Sequence, residues 1–290
     1  MKLFRPKNKT TGKPRTLIID GDIFAFNAVT NREHITEVTT PTGEAYFMLD
    51  TRQAKASFAS RIKELLALLH ARDFVIVFGG KGNFRKKVLP TYKANRSPYK
   101  PLGYWAFVDW IHEEYNTTSV DGLEADDTMG ILHSGEDLKN GCETVMVSND
   151  KDMRQIPGLL YDHTKTDTRP VVITREEAFR WSMVQAIAGD MTDGYEGLKG
   201  YGPVSAGKVV DKAIEDFGYS EGRVFLGAIV PLYESKGLSR IAALQQMQVS
   251  RICQRGDIEV LSDGSWKHNL WGAHLFRQRM KMGKKSLNNK

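Results

Sequence analysis

Three short stretches that end in consecutive apolar residues set the fold class of this chain, each reading as a short buried strand: Arg15 to Ile19, Phe74 to Phe78 and Thr144 to Val147. A strand wetted on one face alternates apolar and polar residues, whereas one covered on both faces is apolar throughout, as in parallel sheets. Between the first two runs, Phe47 to Leu69 carries Phe58, Ile62, Leu65, Leu66 and Leu69 at helical spacing, and Ala125 to Leu132 opens another helix before the third. Strands alternating with helices predict an α/β fold with a mainly parallel central sheet flanked by helices. From Thr174 onward the pattern turns helical, over Glu176 to Ile187, Val204 to Phe217, Val224 to Tyr233 and Ile241 to Cys253. The 290 residues suffice for one elaborated domain or two closely packed ones.

Acidic residues stand where these elements give way to turns. Asp20 and Asp22 follow the first run; Glu124, Asp126 and Asp127 follow Thr118-Ser119-Val120; Asp150 and Asp152 follow the third run; Asp190 and Asp193 close a helical stretch. Ligands in parallel sheets gather beyond the carboxyl ends of the strands, where Asp20, Gly80 and Asp150 fall. Carboxylates gathered there repel one another unless cations neutralise them, and oxygen ligands favour Mg²⁺ or Mn²⁺ over zinc. Each group also has a plainer reading. Acids in a first helical turn suit the helix dipole, Asp22 can cap a helix, and Asp150-Lys151-Asp152 can be a solvated turn.

Lys and Arg number 41 against 35 Asp and Glu, a formal charge of +6. The bases cluster: between Phe74 and Val108 there is no acid, while Lys81, Arg85, Lys86, Lys87, Lys93, Arg96 and Lys100 all occur. Residues 1–15 form a basic leader expected to be mobile, and Arg277, Arg279, Lys281, Lys284 and Lys285 repeat the bias near the other end. An acidic pocket in a basic field suits a polyanion, with nucleic acid the leading candidate. Tyr92-Lys93-Ala94-Asn95-Arg96 places two cations three positions apart beside an aromatic, a set that could hold the scissile phosphate while Tyr92 stacks on an unpaired base. The stretch from Lys81 to Trp110, with Pro90, Pro98 and Pro101, reads as an insertion over the sheet edge.

Gly197, Gly200 and Gly202 lead into Pro203-Val204-Ser205-Ala206-Gly207-Lys208, a turn whose backbone amides can approach a phosphate at a helix start. A nucleotide P-loop is excluded because Val209 follows Lys208. The plainer alternative is a connecting turn. Cys142 and Cys253 offer neither a disulfide framework nor a zinc pair, which fits a reducing cytoplasm. No apolar stretch reaches signal-peptide or membrane-spanning character, so no membrane partner is expected.

The segments LIIDGD, NFRK, YKANR, LEADD, SNDKD and GDMTDGYEGLKGYG, in that order, make the chain resemble the phage 5′-to-3′ exonucleases of the flap endonuclease family. The resemblance covers Leu17 to about Phe217. It implies a PIN-like 5′-nuclease core over residues 16–184, with a helical arch about 81–115. A helix-three-turn-helix element and C-terminal helical region would follow over 185–290. It implies that Asp20, Glu124, Asp126, Asp127, Asp150, Asp152, Asp190 and Asp193 hold two Mg²⁺ or Mn²⁺ ions. Asp20, Asp126, Asp127 and Asp150 would serve catalysis with Lys93 and Arg96 on the reacting phosphate. Arg85, Lys86, Tyr92, Gly200, Gly202 and Lys208 would meet DNA, and K⁺ would sit at the turn. The implied partners of a monomer are DNA 5′ ends or flaps and RNA-DNA hybrids, in a host cytoplasm if the chain is phage-encoded.

One position departs from that pattern. Where the family has an aspartate after the second strand, this chain has Gly80; Asp22 matches an acid of the closer phage relatives. The loss leaves three readings open: compensation by Asp22, compensation by water, or a catalytically impaired structure-specific DNA-binding protein. A PIN-like ribonuclease is a further alternative, against which the long arch and the glycine-rich turn count.

Overall fold

The computed structural model describes residues 14–135, 143–165, 169–260 and 266–268; Cys142, the leader through residue 13 and the basic residues from Arg277 to Lys285 lie outside them. The chain forms two compact units. One combines residues up to 83 with 97–153 and 158–173; the other combines 84–96, 154–157 and 174 onward.

The first unit is built on strands β1 (Arg15–Asp20), β4 (Ala71–Val77), β5 (Thr117–Thr118), β6 (Glu143–Val147), β7 (Gly158–Tyr161) and β8 (Val171–Ile173), with β2 (Ile35–Thr39) and β3 (Ala45–Leu49) forming a separate hairpin. The sheet order is β5-β4-β1-β6-β7-β8, parallel throughout except for the antiparallel β7-β8 pair. The expected mainly parallel α/β sheet is therefore present. Its helices are α1 (Gly21–Thr30), α2 (Thr51–Leu68), α3 (Tyr104–Glu114) and α4 (Ala125–Ser134).

The central position of β1 explains its unbroken apolar run. Leu17 and Ile19 join Ile76, Val145 and Val147 in one core with Phe24 of α1, Phe58, Ile62 and Leu65 of α2, and Phe107 and Ile111 of α3. Ile18 and Met146, pointing to the other face by strand alternation, are equally buried, and α4 packs on β1 and β6.

Two expectations are corrected here. Phe47 lies in the β2-β3 hairpin, exposed, and α2 begins only at Thr51, where Asp50 caps it by accepting from the Gln53 amide at 2.9 Å. The stretch from Lys81 to Trp110 is not all insertion. Tyr104, Phe107, Val108 and Ile111 recur at helical spacing and bury one face of α3 in the core.

The second unit is mostly helical: α5 (Arg175–Ala188), α6 (Pro203–Phe217) and α7 (Arg240–Ser250), with a one-turn helix at Arg85–Val88 and a π-helical turn at Phe225–Ile229 ahead of Pro231. Thr174 and Glu177 cap the start of α5 reciprocally, as that sequence pattern favours. Arg180 on α5 holds Asp211 on α6 in a two-pronged ion pair, at 2.6 and 2.8 Å. Among the described residues, no helix is long and apolar enough to cross a membrane.

Candidate active site

In the first unit, adjacency of β4, β1 and β6 brings three strand ends together. Asp20, the last residue of β1, caps α1: its Oδ1 accepts from the Ile23 amide at 3.1 Å, and its Oδ2 accepts from the Ser148 hydroxyl at 2.9 Å. The cap is thus Asp20 rather than Asp22. Ser148 also accepts from the Asp150 amide at 3.1 Å, and Asp150 accepts from the Asp152 amide at 2.8 Å, so the turn after β6 is ordered around Asp20. Asp20 is 2 % exposed, and its carboxyl is pushed up to about 7 by burial first, with the charges of Asp22 and Asp150 adding to the rise.

The start of α4 supplies the remaining acids of this unit. Asp127 is fully buried and accepts from the Glu124 amide at 3.1 Å in a reciprocal cap, so helix capping is realised there; Glu124 and Asp126 are half-buried. Glu124 adjoins the end of β4, since a Cβ placed at Gly79 would lie 4.0 Å from the Glu124 Cα. Among the described residues, no three His, Cys, Asp or Glu side chains are already drawn together as a metal cage. The donor chemistry nevertheless fits a hard divalent cation. The side chains offer carboxylate oxygens, and Asp20, whose carboxyl is raised chiefly by burial, also lies near the charges of Asp22 and Asp150.

Gly80 has a steric cause. A Cβ at that position would stand 2.0 Å from the Val120 carbonyl oxygen and 2.6 Å from the Asp121 nitrogen, both backbone atoms. The loop after β5 closes over it through Gly80 N–H to Leu123 O at 2.9 Å and Gly122 N–H to Lys81 O at 2.8 Å. An aspartate cannot enter at 80 unless that loop moves.

The other acids lie in the second unit. Asp190 and Tyr195 bridge across a tight turn, and Asp193 on that turn is met by three side chains of the 92–96 segment. Lys93 Nζ stands 3.5 Å from Asp193 Oδ2, the Tyr92 hydroxyl donates to the same oxygen at 3.2 Å, and Arg96 pairs with Oδ1. The Lys93 amide donates to the Asp193 carbonyl at 2.7 Å, and Lys93 itself takes φ 52, uncommon for a residue with a side chain.

Two residues expected at the DNA surface are interior. Arg85 is 2 % exposed and donates to the carbonyls of Val249 and Arg251, while Tyr92 is 3 % exposed and packs on Tyr195 and Val249. A ring so enclosed cannot stack on a base. Lys86, Gly200, Gly202 and Lys208 are exposed. Gly200 has φ +88 with open space around it, and Gly202, the residue before α6, gives that helix no side-chain cap, which leaves the turn's backbone approachable by a phosphate.

Residues 15–180 match the family model of the 5′-3′ exonuclease N-terminal, resolvase-like domain. The chain belongs to the 5′-3′ exonuclease family. It is 32% identical over 206 residues to the exodeoxyribonuclease of Enterobacteria phage T3, covering 68% of this chain and 67% of that one. It is also 32% identical over 194 residues to the exonuclease of Escherichia phage T7, covering 64% of this chain and 63% of its relative. Both alignments thus span about two thirds of the relatives' length. Among solved structures, the bacteriophage T5 flap endonuclease in complex with DNA and metal ions shares the fold, at TM-score 0.59 and 18% identity over 81% of this chain and 88% of that one.

Side chains missing from the expected site are Ser148 and Tyr104; Asp22 was named only as a possible compensation for Gly80, outside the metal set. A serine directly before Asn149-Asp150 was a readable signal for Ser148; Tyr104 reaches Asp22 from 82 residues away, which no local pattern announces.

Proposed function

We propose that this chain is a divalent-metal-dependent phosphodiesterase that hydrolyses DNA from 5′ ends or flaps, and also removes RNA paired to DNA. The observation that carries the reading is the Asp20 carboxyl buried at the end of β1 and tied through Ser148 to the turn that bears Asp150. Asp20, Glu124, Asp126, Asp127, Asp150 and Asp152 of the first unit would hold the cations. When bound, Mg²⁺ or Mn²⁺ supplies Lewis-acid activation of water and neutralises charge on the phosphodiester. The water oxygen bonds to phosphorus, the bond from phosphorus to the 3′ oxygen breaks, and a 5′ phosphate and a 3′ hydroxyl result.

The protein's own groups set the stage for that reaction. Ser148 fixes the orientation of Asp20, and the amide bonds running from Asp150 to Asp152 hold the turn after β6. Lys93 and Arg96, paired with Asp193 in the second unit, carry the positive charge assigned to the reacting phosphate. Asp190 and Asp193, which the resemblance also assigns to the metal set, lie on a tight turn of the second unit. The exposed Gly200–Gly202 turn, with K⁺ and Lys208, would grip the duplex backbone without reading bases.

The test is cleavage of a 5′-labelled flap duplex with and without Mg²⁺ or Mn²⁺. Metal-dependent release of short 5′ fragments supports the reading; tight binding without cleavage in either metal overturns it in favour of a binding protein. Cleavage of single-stranded RNA with duplex ends left intact would indicate a ribonuclease instead.

A further inference from the structure

Asp22 lies in the first turn of α1 and is gripped from two sides. Its Oδ2 accepts from the Gly79 amide at 3.0 Å, and its Oδ1 accepts from the Tyr104 hydroxyl at 3.0 Å. Tyr104 is 1 % exposed, its ring fixed in the core with Phe107 and Ile111 and covered by the Lys100 ammonium 4.8 Å from the ring centre. Both donors are neutral, so they aim the carboxylate without cancelling its charge.

The end of β4 explains why an acid is wanted there. β1 and β6 flank one another and deliver Asp20 and Asp150, while β4, on the other side of β1, runs out into Phe78-Gly79-Gly80 and delivers no carboxylate. Position 80 has no room for a side chain. A Cβ at position 79 would lie 3.2 Å from Asp22 Oδ2 and 3.7 Å from the Ala125 amide nitrogen, so the space a side chain from β4 would occupy is already filled by Asp22, next to the start of α4.

We propose that Asp22 supplies from α1 the cation-binding carboxylate that the end of β4 lacks, and that Tyr104 is its positioning residue. This rests on the reading of the chain as a metal-dependent nuclease. Oriented ligands bind metal more tightly, and loss of a partner that orients a ligand typically weakens affinity by about 10–100-fold. Asp22→Asn keeps the shape of the side chain and removes the charge; Tyr104→Phe keeps the buried ring and removes the hydrogen bond.

The experiment measures Mn²⁺ binding to the full chain without DNA, by titration calorimetry and by the electron paramagnetic resonance signal of free Mn²⁺, alongside cleavage of the flap duplex. Asp22→Asn is expected to bind Mn²⁺ at least about tenfold more weakly, and Tyr104→Phe about tenfold more weakly with cleavage restored by excess Mn²⁺. DNA affinity in EDTA should be undiminished in both. A purely structural tie between α1, β4 and α3 would lower thermal stability and leave Mn²⁺ affinity where it was. If wild type binds Mn²⁺ and cuts, and Asp22→Asn binds Mn²⁺ equally tightly, this inference is overturned while the proposed function stands. If wild type neither binds Mn²⁺ nor cuts, both fall.

Discussion

Replacing Asp20 by asparagine is expected to stabilise the metal-free protein at alkaline pH while abolishing cleavage. The folded state lifts the Asp20 carboxyl from 3.8 to about 7, chiefly through burial, then through the neighbouring Asp22 and Asp150 charges. Below the lower value both folded and unfolded chains hold the proton, and Asp20 imposes no penalty. As the pH rises from there towards about 7, the unfolded chain gives up its proton first, so stability falls; above about 7 the loss is complete. Three pH units correspond to roughly 4 kcal/mol. Asparagine retains the acceptor for the Ile23 amide but loses the one for the Ser148 hydroxyl, so a net gain of about 2–4 kcal/mol is expected. Because the chain has two compact units, a single unfolding midpoint would mix them. Hydrogen exchange of the Leu17–Ile19 and Val145–Val147 amides reads the first unit alone. Asp20→Asn should slow that exchange relative to wild type at about pH 8, and the difference should vanish near pH 4. Mg²⁺ should protect wild type more than the variant. Equal protection at alkaline pH, or a gain independent of pH, would refute the assignment of a buried, unbalanced carboxylate to the end of β1.

Gly80→Ala should destabilise the first unit by about 1–3 kcal/mol through the clash with Val120, seen as faster hydrogen exchange of its strand amides, and Gly80→Asp should do so without improving cleavage. Gly80→Asp with wild-type stability and higher turnover would show that the loop after β5 yields easily. Tyr92→Ala should behave as a core truncation, costing about 3–5 kcal/mol in urea titrations, because the ring packs on Tyr195 and Val249; a loss of DNA affinity at unchanged stability would contradict its burial. Lys93→Ala should cut single-turnover cleavage by about 100-fold or more with duplex affinity nearly intact, as for loss of a group that stabilises charge in the transition state. Unchanged turnover would remove Lys93 from the reaction.

The sequence made the sheet legible because its signal is local: three stretches that end in consecutive apolar residues, each followed by a polar turn, became β1, β4 and β6 within a few residues of the expected limits. The hairpin of β2 and β3 escaped because Phe47 and Leu49 could be added to the helical stripe of α2. The Asp50-Thr51 cap and the Thr40–Glu44 turn, closed by the Thr40 amide on the Glu44 carbonyl at 2.8 Å, were the signals to weigh against it. For the site, the positions of Asp20 and Asp150 followed from strand ends. The burial of Arg85 and Tyr92 did not, because a run of basic and aromatic residues reads as surface until Val249 and Tyr195, more than 100 positions away, are seen to cover it. Gly80 was legible only as a missing acid. Its steric cause lies in the backbone of Val120, which pattern reading does not reach.

The two acidic groups are balanced in different ways, and the difference bears on substrate binding. Asp20 and Asp22 accept from amides and hydroxyls, which orient charge without cancelling it. Asp193 is compensated within its own unit by Lys93 and Arg96, at the cost of occupying the two cations assigned to the phosphate. A polyanion must therefore compete with Asp193 for them. Asp193→Asn removes the competitor, so in EDTA its DNA affinity should rise and the salt dependence should steepen by about one to two phosphate contacts. The measurement is the dissociation constant for flap DNA across a salt series. A variant that binds more weakly, with an unchanged slope, would mean that Asp193 holds Lys93 and Arg96 in their binding positions rather than withholding them.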